Sequence, residues 1–269
     1  MIRAVQPAVV AHRGASAHRA EHTVAAYALA LEQGADGLEC DVRLTRDGHL
    51  VCVHDRTVNR TSTGRGVVST LTLERLSELD YASWHPELPD NADDLVLDRT
   101  PERGERGVLT LESLLDLVVD SPGTKLFIET KHPVRYGGLV EVKLVALLSR
   151  YGLANPISKE DSQVVMMSFS AMAVRRFRQH SATLPTVLLQ SSLSPVRADG
   201  SLPRSADLTG PGIRILREDP DYVARAASFG HETYTWTVDE PADIELCRRL
   251  GVHYLATNAP AATRAQLTS

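Results

Sequence analysis

GLECDVRLTRDGHLVCVHD, residues 37–55, holds an apolar, strand-like run, GLECDV, with carboxylates at Glu39 and Asp41, and after the seven residues 43–49 a second such run, LVCVHD. Alternate side chains share one face of a strand, so Glu39 and Asp41 point the same way. Two anions buried side by side are costly unless a positive charge compensates them or one takes up a proton. The intervening Thr45-Arg46-Asp47-Gly48-His49 is shorter than the roughly dozen residues a parallel crossover needs, and Asp-Gly is a hairpin turn signal. LVCVHD is therefore expected to run back antiparallel along GLECDV.

Elsewhere short apolar runs alternate with amphipathic segments that stop at glycine. In 22–34 we expect Val24, Tyr27, Ala28 and Leu31 to share a helical face ending at Gly34, and in 138–152 Val140, Leu144, Leu147, Leu148 and Tyr151, ending at Gly152. The segment 218–230 begins a helix with Asp219 as cap and Pro220 at its first position and stops at Gly230, and 241–251 stops at Gly251. Strand candidates lie at 9–12, 37–42, 50–55, 125–131, 164–169, 186–190, 212–216, 233–238 and 253–258. With 50–55 set aside as a hairpin arm, the others make an α/β (β/α)8 TIM-type barrel, a single domain over 1–269. Residues 56–108, with a short helix near 73–79, fit no βα unit and are expected to be an insertion at the barrel mouth. The long segment 191–212 after the run at 186–190 is expected to be an irregular, lid-like loop.

The 29 basic and 34 acidic residues give a net charge of −5, which provides no electrostatic footprint for nucleic acid or an anionic membrane. No window is apolar and long enough to span a bilayer, and the opening residues carry no signal-peptide core, so a soluble, cytoplasmic protein without stable membrane insertion is expected. Cys40, Cys52 and Cys247 form no CxxC pair, and buried, inert thiols are expected.

Active sites of such barrels gather where strands end at their C-terminal side. Those ends carry His12 and Arg13, Glu39 and Asp41, His54 and Asp55, Glu129 and Lys131, and Trp236. Glu39, Asp41 and Glu129, without a thiol ligand, suit one hard divalent cation, Mg²⁺ or Ca²⁺. That cation is the missing positive charge, and it leaves Arg13 and Lys131 to hold an anion such as a phosphate. Two histidines on opposite sides of it can deprotonate a nucleophile and protonate a leaving alcohol. The remaining histidines, His18, His22, His49, His85, His132, His180, His231 and His253, have no ligand spacing and are expected to be solvated or capping, His132 being distinguished by its place beside Lys131. RTSTGRG, 60–66, lacks a P-loop lysine and is expected to be part of the insertion's architecture.

The stretches AHRGASAHRAEHT (11–23), 34–66, FIETKHP (127–133), MSFS (167–170) and TWTVD (235–239) resemble the glycerophosphodiester phosphodiesterase family in order and spacing, over nearly the whole chain. The resemblance implies catalysis by His12 and His54, metal ligation by Glu39, Asp41 and Glu129, phosphate contacts from Arg13 and Lys131, and a pocket wall at Trp236. It implies a small-molecule substrate, a deacylated phospholipid hydrolysed to sn-glycerol 3-phosphate and an alcohol, and allows the glycerol 2-hydroxyl to attack first through a cyclic phosphate. Three positions depart from the family's usual pattern. His22 stands where asparagine is usual, without expected loss of function; Asn258 stands where aspartate is usual; and Asp239 replaces an asparagine and is expected to cap a helix. Alternatives are a lysophospholipase D-like activity, which would want an apolar ramp at the mouth, and a catalytically inactive glycerophosphodiester-binding protein. Oligomeric state is left open.

Overall fold

The computed structural model describes residues 6–84 and 106–269. In chain order the elements are β1 (Ala8–His12), α1 (Val24–Glu32), β2 (Gly37–Leu44), β3 (Leu50–Cys52), α2 (Leu73–Ser77), α3 (Leu111–Val119), β4 (Lys125–Thr130), α4 (Leu139–Arg150) and β5 (Val164–Ser168). There follow α5 (Ala171–His180), β6 (Thr186–Gln190), β7 (Leu208–Pro211), α6 (Ile213–Glu218), α7 (Tyr222–Ser228), β8 (Tyr234–Thr235), α8 (Pro241–Leu250), β9 (Tyr254–Thr257) and α9 (Pro260–Thr268). Parallel pairing runs β7-β6-β5-β4-β2-β1-β9-β8, and parallel bridges Thr209–Thr233 and Gly212–Trp236 join β7 to β8. The fold is an eight-stranded parallel α/β barrel. β3 lies off this ring, antiparallel to the end of β2 with Val42 opposite Cys52, as the short Asp-Gly turn demands.

Local chemistry explains several starts and stops. Thr23, Thr72, Thr110 and Ser170 each accept a backbone N–H of the first turn of the helix that follows. Gly251 ends α8 in the left-handed region at φ 76°. Gly14, directly after β1, stands against α1 so closely that a Cβ there would lie 2.6 Å from the Ala26 carbonyl carbon. The barrel interior is filled by Val10, Phe127, Val165, Met167, Val187, Leu189, Leu208, Tyr234 and Ala256, while Leu38, Cys40 and Val42 pack outward against the helices. A satellite core of Val51, Val53, Val58, Val68, Leu76, Tyr81 and Val108 ties the described part of the insertion to the hairpin. All three cysteines are buried and free.

Some expectations are corrected. Residues 212–216 do not form a strand: Ile215 and Leu216 are buried while Arg214 and Arg217 are exposed, a helical division, and α6 results. The barrel strand is instead β7, at the end of the segment expected to be an irregular loop, where a Cβ on Gly210 would lie 2.7 Å from a methyl of Leu189. α7 begins at Tyr222 rather than near Asp219, whose carboxylate pairs with Arg225. α1 buries Ala26, Tyr27 and Ala30 and leaves Val24 exposed, because its alanine-rich surface gives no single apolar stripe. Asp239 does not cap α8, whose N-cap is Glu240; it binds Thr257 and Asn258. His85 and most of the polar part of the insertion, 85–105, lie outside the described residues.

Candidate active site

Strand register brings the site together. His12, the last residue of β1, is paired with Glu39 of β2, and Asp41 of β2 with Glu129, one residue from the end of β4. Because Glu39, Asp41 and Glu129 share the inward face, their carboxylate oxygens approach to within 4.8 Å of one another, and all three residues are buried. One pocket is lined by His12, Arg13, Glu39, His54, Glu129, Lys131 and Trp236, with Met167, Phe169, Leu189 and Tyr234. Phe169 packs edge-on against Trp236 at 5.1 Å between ring centroids, and Trp236 Nε1 donates to the Gly210 carbonyl at 2.9 Å.

The charges are neutralised in a specific way. Lys131 Nζ lies 2.9 Å from Glu129 Oε1 and 3.2 Å from Asp41 Oδ1. Arg13 Nε lies 3.0 Å from Asp41 Oδ2, and the Arg13 backbone N–H donates to Glu39 Oε2 at 3.0 Å. Arg13 reaches both by adopting φ 60°, a left-handed conformation that costs a non-glycine residue about 1–2 kcal/mol. Burial and the neighbouring Asp41 charge push Glu39 well up. Glu129 is raised to about 8 by burial and then by Asp41, against the pull of Lys131. Asp41 goes the other way: burial opposes its charge, but Lys131, the His22 hydrogen bond and Arg13 outweigh it and hold it well below the usual range.

Three buried, convergent oxygen ligands, two of them resisting ionisation through burial and then the neighbouring Asp41 charge, fit a hard divalent cation, which would act in the opposite sense on both.

The two histidines differ. His12 Nδ1 bonds Asn258 Oδ1 at 2.8 Å, and because Asn258 Nδ2 donates to Asp239, the amide oxygen must be the acceptor. Burial, then Arg13, lowers His12 to about 4, the Asn258 bond pulling the other way. His54 Nδ1 instead bonds a carboxylate, Asp55 Oδ1, at 2.7 Å; burial lowers His54 too, against the upward pull of Asp41 and, last, of the Asp55 bond.

His22 is not solvated. It is 5% exposed, its Nε2 lies 3.0 Å from Asp41 Oδ2 and its Nδ1 2.8 Å from the Tyr27 hydroxyl, which donates to the Glu39 carbonyl. His132 is not solvated either: it binds the fully buried Glu141 at 2.6 Å. A second missed group is Arg60, whose guanidinium joins Glu21 and Asp55. The only sequence cues for these were the His22 departure and the position of Arg60 at the head of RTSTGRG.

A sequence model of the glycerophosphoryl diester phosphodiesterase family matches residues 12–262. The chain belongs to that family. It is accordingly an enzyme, a phosphoric diester hydrolase. It is 51% identical over 268 residues to the "probable glycerophosphodiester phosphodiesterase 1" of Mycobacterium tuberculosis, covering 99% of this chain and 94% of the relative. The glycerophosphodiester phosphodiesterase of Bacillus subtilis is 34% identical over 256 residues, 93% of this chain and 83% of that one. Among solved structures, an Oleispira antarctica phosphodiesterase in complex with the product sn-glycerol-3-phosphate superposes with a TM-score of 0.81 at 20% identity, covering 98% of each chain. The glycerophosphodiester phosphodiesterase of Agrobacterium tumefaciens gives 0.74 at 23% identity, covering 96% of this chain and 99% of that one. At these identities both bear on the fold. No helix among the described residues is long and apolar enough to cross a membrane.

Proposed function

We propose that the enzyme hydrolyses glycerophosphodiesters, the deacylated phospholipids, to sn-glycerol 3-phosphate and an alcohol, with one divalent cation, Mg²⁺ or Ca²⁺, held by Glu39, Asp41 and Glu129. The observation that carries this reading is the meeting of two of those carboxylates, Glu39 and Glu129, with two histidines and two cationic side chains in one pocket, with Asp41 beside them in the same carboxylate cluster. The cation, when bound, supplies charge stabilisation at a phosphoryl oxygen. Arg13 and Lys131 would hold the phosphate, the first as a fork and the second as a point charge. His12 is the base: its Nδ1 proton is committed to Asn258, so Nε2 carries the lone pair, and its lowered affinity for protons keeps it neutral. It takes the proton of the attacking hydroxyl, that of glycerol C2 or of water. His54, backed by the Asp55 carboxylate, is the acid that protonates the departing alcohol. Trp236 and Phe169 form the wall against which the organic part of the substrate rests.

The test is an assay of the purified protein on glycerophosphocholine and glycerophosphoethanolamine. Release of glycerol 3-phosphate that stops with chelator and returns with Mg²⁺ or Ca²⁺ supports the proposal. Tight binding without turnover contradicts it.

A further inference from the structure

Arg60 stands outside the residues that line the pocket, yet two chains of hydrogen bonds run from it to groups that do. Its Nε and Nη2 donate to the two oxygens of Asp55 at 2.8 and 3.3 Å, and its Nη1 and Nη2 to the two oxygens of Glu21 at 2.8 Å each. Beyond Asp55 stands His54, whose Nδ1 lies 2.7 Å from Asp55 Oδ1. Beyond Glu21 stands Arg13, whose Nη1 donates to Glu21 Oε1 at 3.2 Å. A single planar fork thus ties the loop after β1 to the end of the hairpin arm, and the Trp84 ring, with its centroid 5.7 Å from the guanidinium carbon, covers it.

We propose that Arg60 is a positioning residue, which sets His54 and Arg13 at a fixed separation across the pocket by clamping Asp55 and Glu21 together. This rests on the roles given above to His54 and Arg13. Arg60 is 43% exposed, and ion pairs at such exposure add little to stability. The use of two bidentate pairs on one guanidinium is geometric: only arginine offers a rigid fork to two carboxylates at once, and lysine offers a single point. The insertion thereby contributes to the site without touching substrate.

The experiment compares Arg60→Met and Arg60→Lys with the wild type, alone and in an Asp55→Asn, Glu21→Gln background. We expect kcat/KM to fall about 100-fold in Arg60→Met, the scale of an ångström-sized misplacement of a reacting group, with the thermal midpoint little changed. Arg60→Lys should recover only a minor part of that loss. In the background lacking both carboxylates, Arg60→Met should cost less than about twofold, the non-additivity expected of groups acting as one unit. Wild-type kcat/KM in Arg60→Met, or an equal loss in both backgrounds, would overturn the proposal. A readout independent of turnover is the imidazole nitrogen spectrum of His54, which should move in Arg60→Met; an unmoved spectrum counts against the clamp even if the substrate assignment itself fails.

Discussion

Asn258 Oδ1 accepts the Nδ1 proton of His12 at 2.8 Å, although the two residues lie at the ends of neighbouring strands β9 and β1 and are 246 positions apart in the chain. A neutral amide in this place fixes the tautomer without adding the negative charge an aspartate would add. His12, at about 4, loses its function as base only when protonated, so the acidic limb of kcat/KM assigned to it should lie near that value. Asn258→Asp should raise the limb by about 1 pH unit or more, since an adjacent carboxylate favours the imidazolium. The check is the pH profile of both proteins at saturating cation; superimposable acid limbs would remove His12 as the base.

His22 joins Asp41 to Tyr27 inside the protein. His22→Ala would leave the Tyr27 hydroxyl and Asp41 each short of a partner and should destabilise the fold by about 1–3 kcal/mol. Because Asp41 would lose one of the contacts that orient it, affinity for the divalent cation should fall by about 10–100-fold. Denaturant unfolding and calorimetric titration measure the two effects, and the cation affinity of a folded His22→Ala protein is the decisive number.

Glu129, raised to about 8, links metal to pH. In cation-free protein the folded state holds this proton where the unfolded chain, with an ordinary glutamate value, has released it. The stability contributed is complete below the unfolded value and is lost as pH rises through about 8. A cation binds the ionised form, so its effect has the opposite sign. The gain in thermal midpoint on adding Mg²⁺ or Ca²⁺ should therefore be larger at alkaline pH than in mildly acidic buffer. Melting curves with chelator and with cation at several pH values test this, and a gain that shrinks as pH rises would be contrary.

Gly210 leaves no room for a side chain: a Cβ would lie 2.7 Å from Leu189 Cδ2 and 2.8 Å from Val187 Cγ1. Gly210→Ala should cost about 1–3 kcal/mol through overpacking between β6 and β7. Equilibrium unfolding of the variant measures it, and unchanged stability would mean the strand can shift at no cost.

This strand also shows where sequence reading stops. GLECDV and FIETK announce themselves because period-two alternation puts their acids on one face, and register then makes the faces converge. β7, LTGP, has a glycine and a proline among four residues and no run of its own; it is a strand because β6 and β8 flank it. The more apolar GIRIL beside it resembles a strand but divides by helical period. The eight expected site residues needed only strand-end logic and family pattern to be named, and the structure brings seven of them to one pocket, with Asp41 beside it. His22 and Arg60 escaped because each sits in a loop, where burial and partners are decided by residues distant in sequence. Asp239 and Asp219 had the composition of caps, yet tertiary partners, Asn258 and Arg225, claimed their carboxylates.

The most direct measurement is a crystal structure of the protein grown with Ca²⁺ or with Mn²⁺ in place of Mg²⁺, read by anomalous scattering. The account predicts one ion bonded to an oxygen from each of Glu39, Asp41 and Glu129. An empty position with Lys131 still bridging Asp41 and Glu129, at cation concentrations that support turnover, would contradict it.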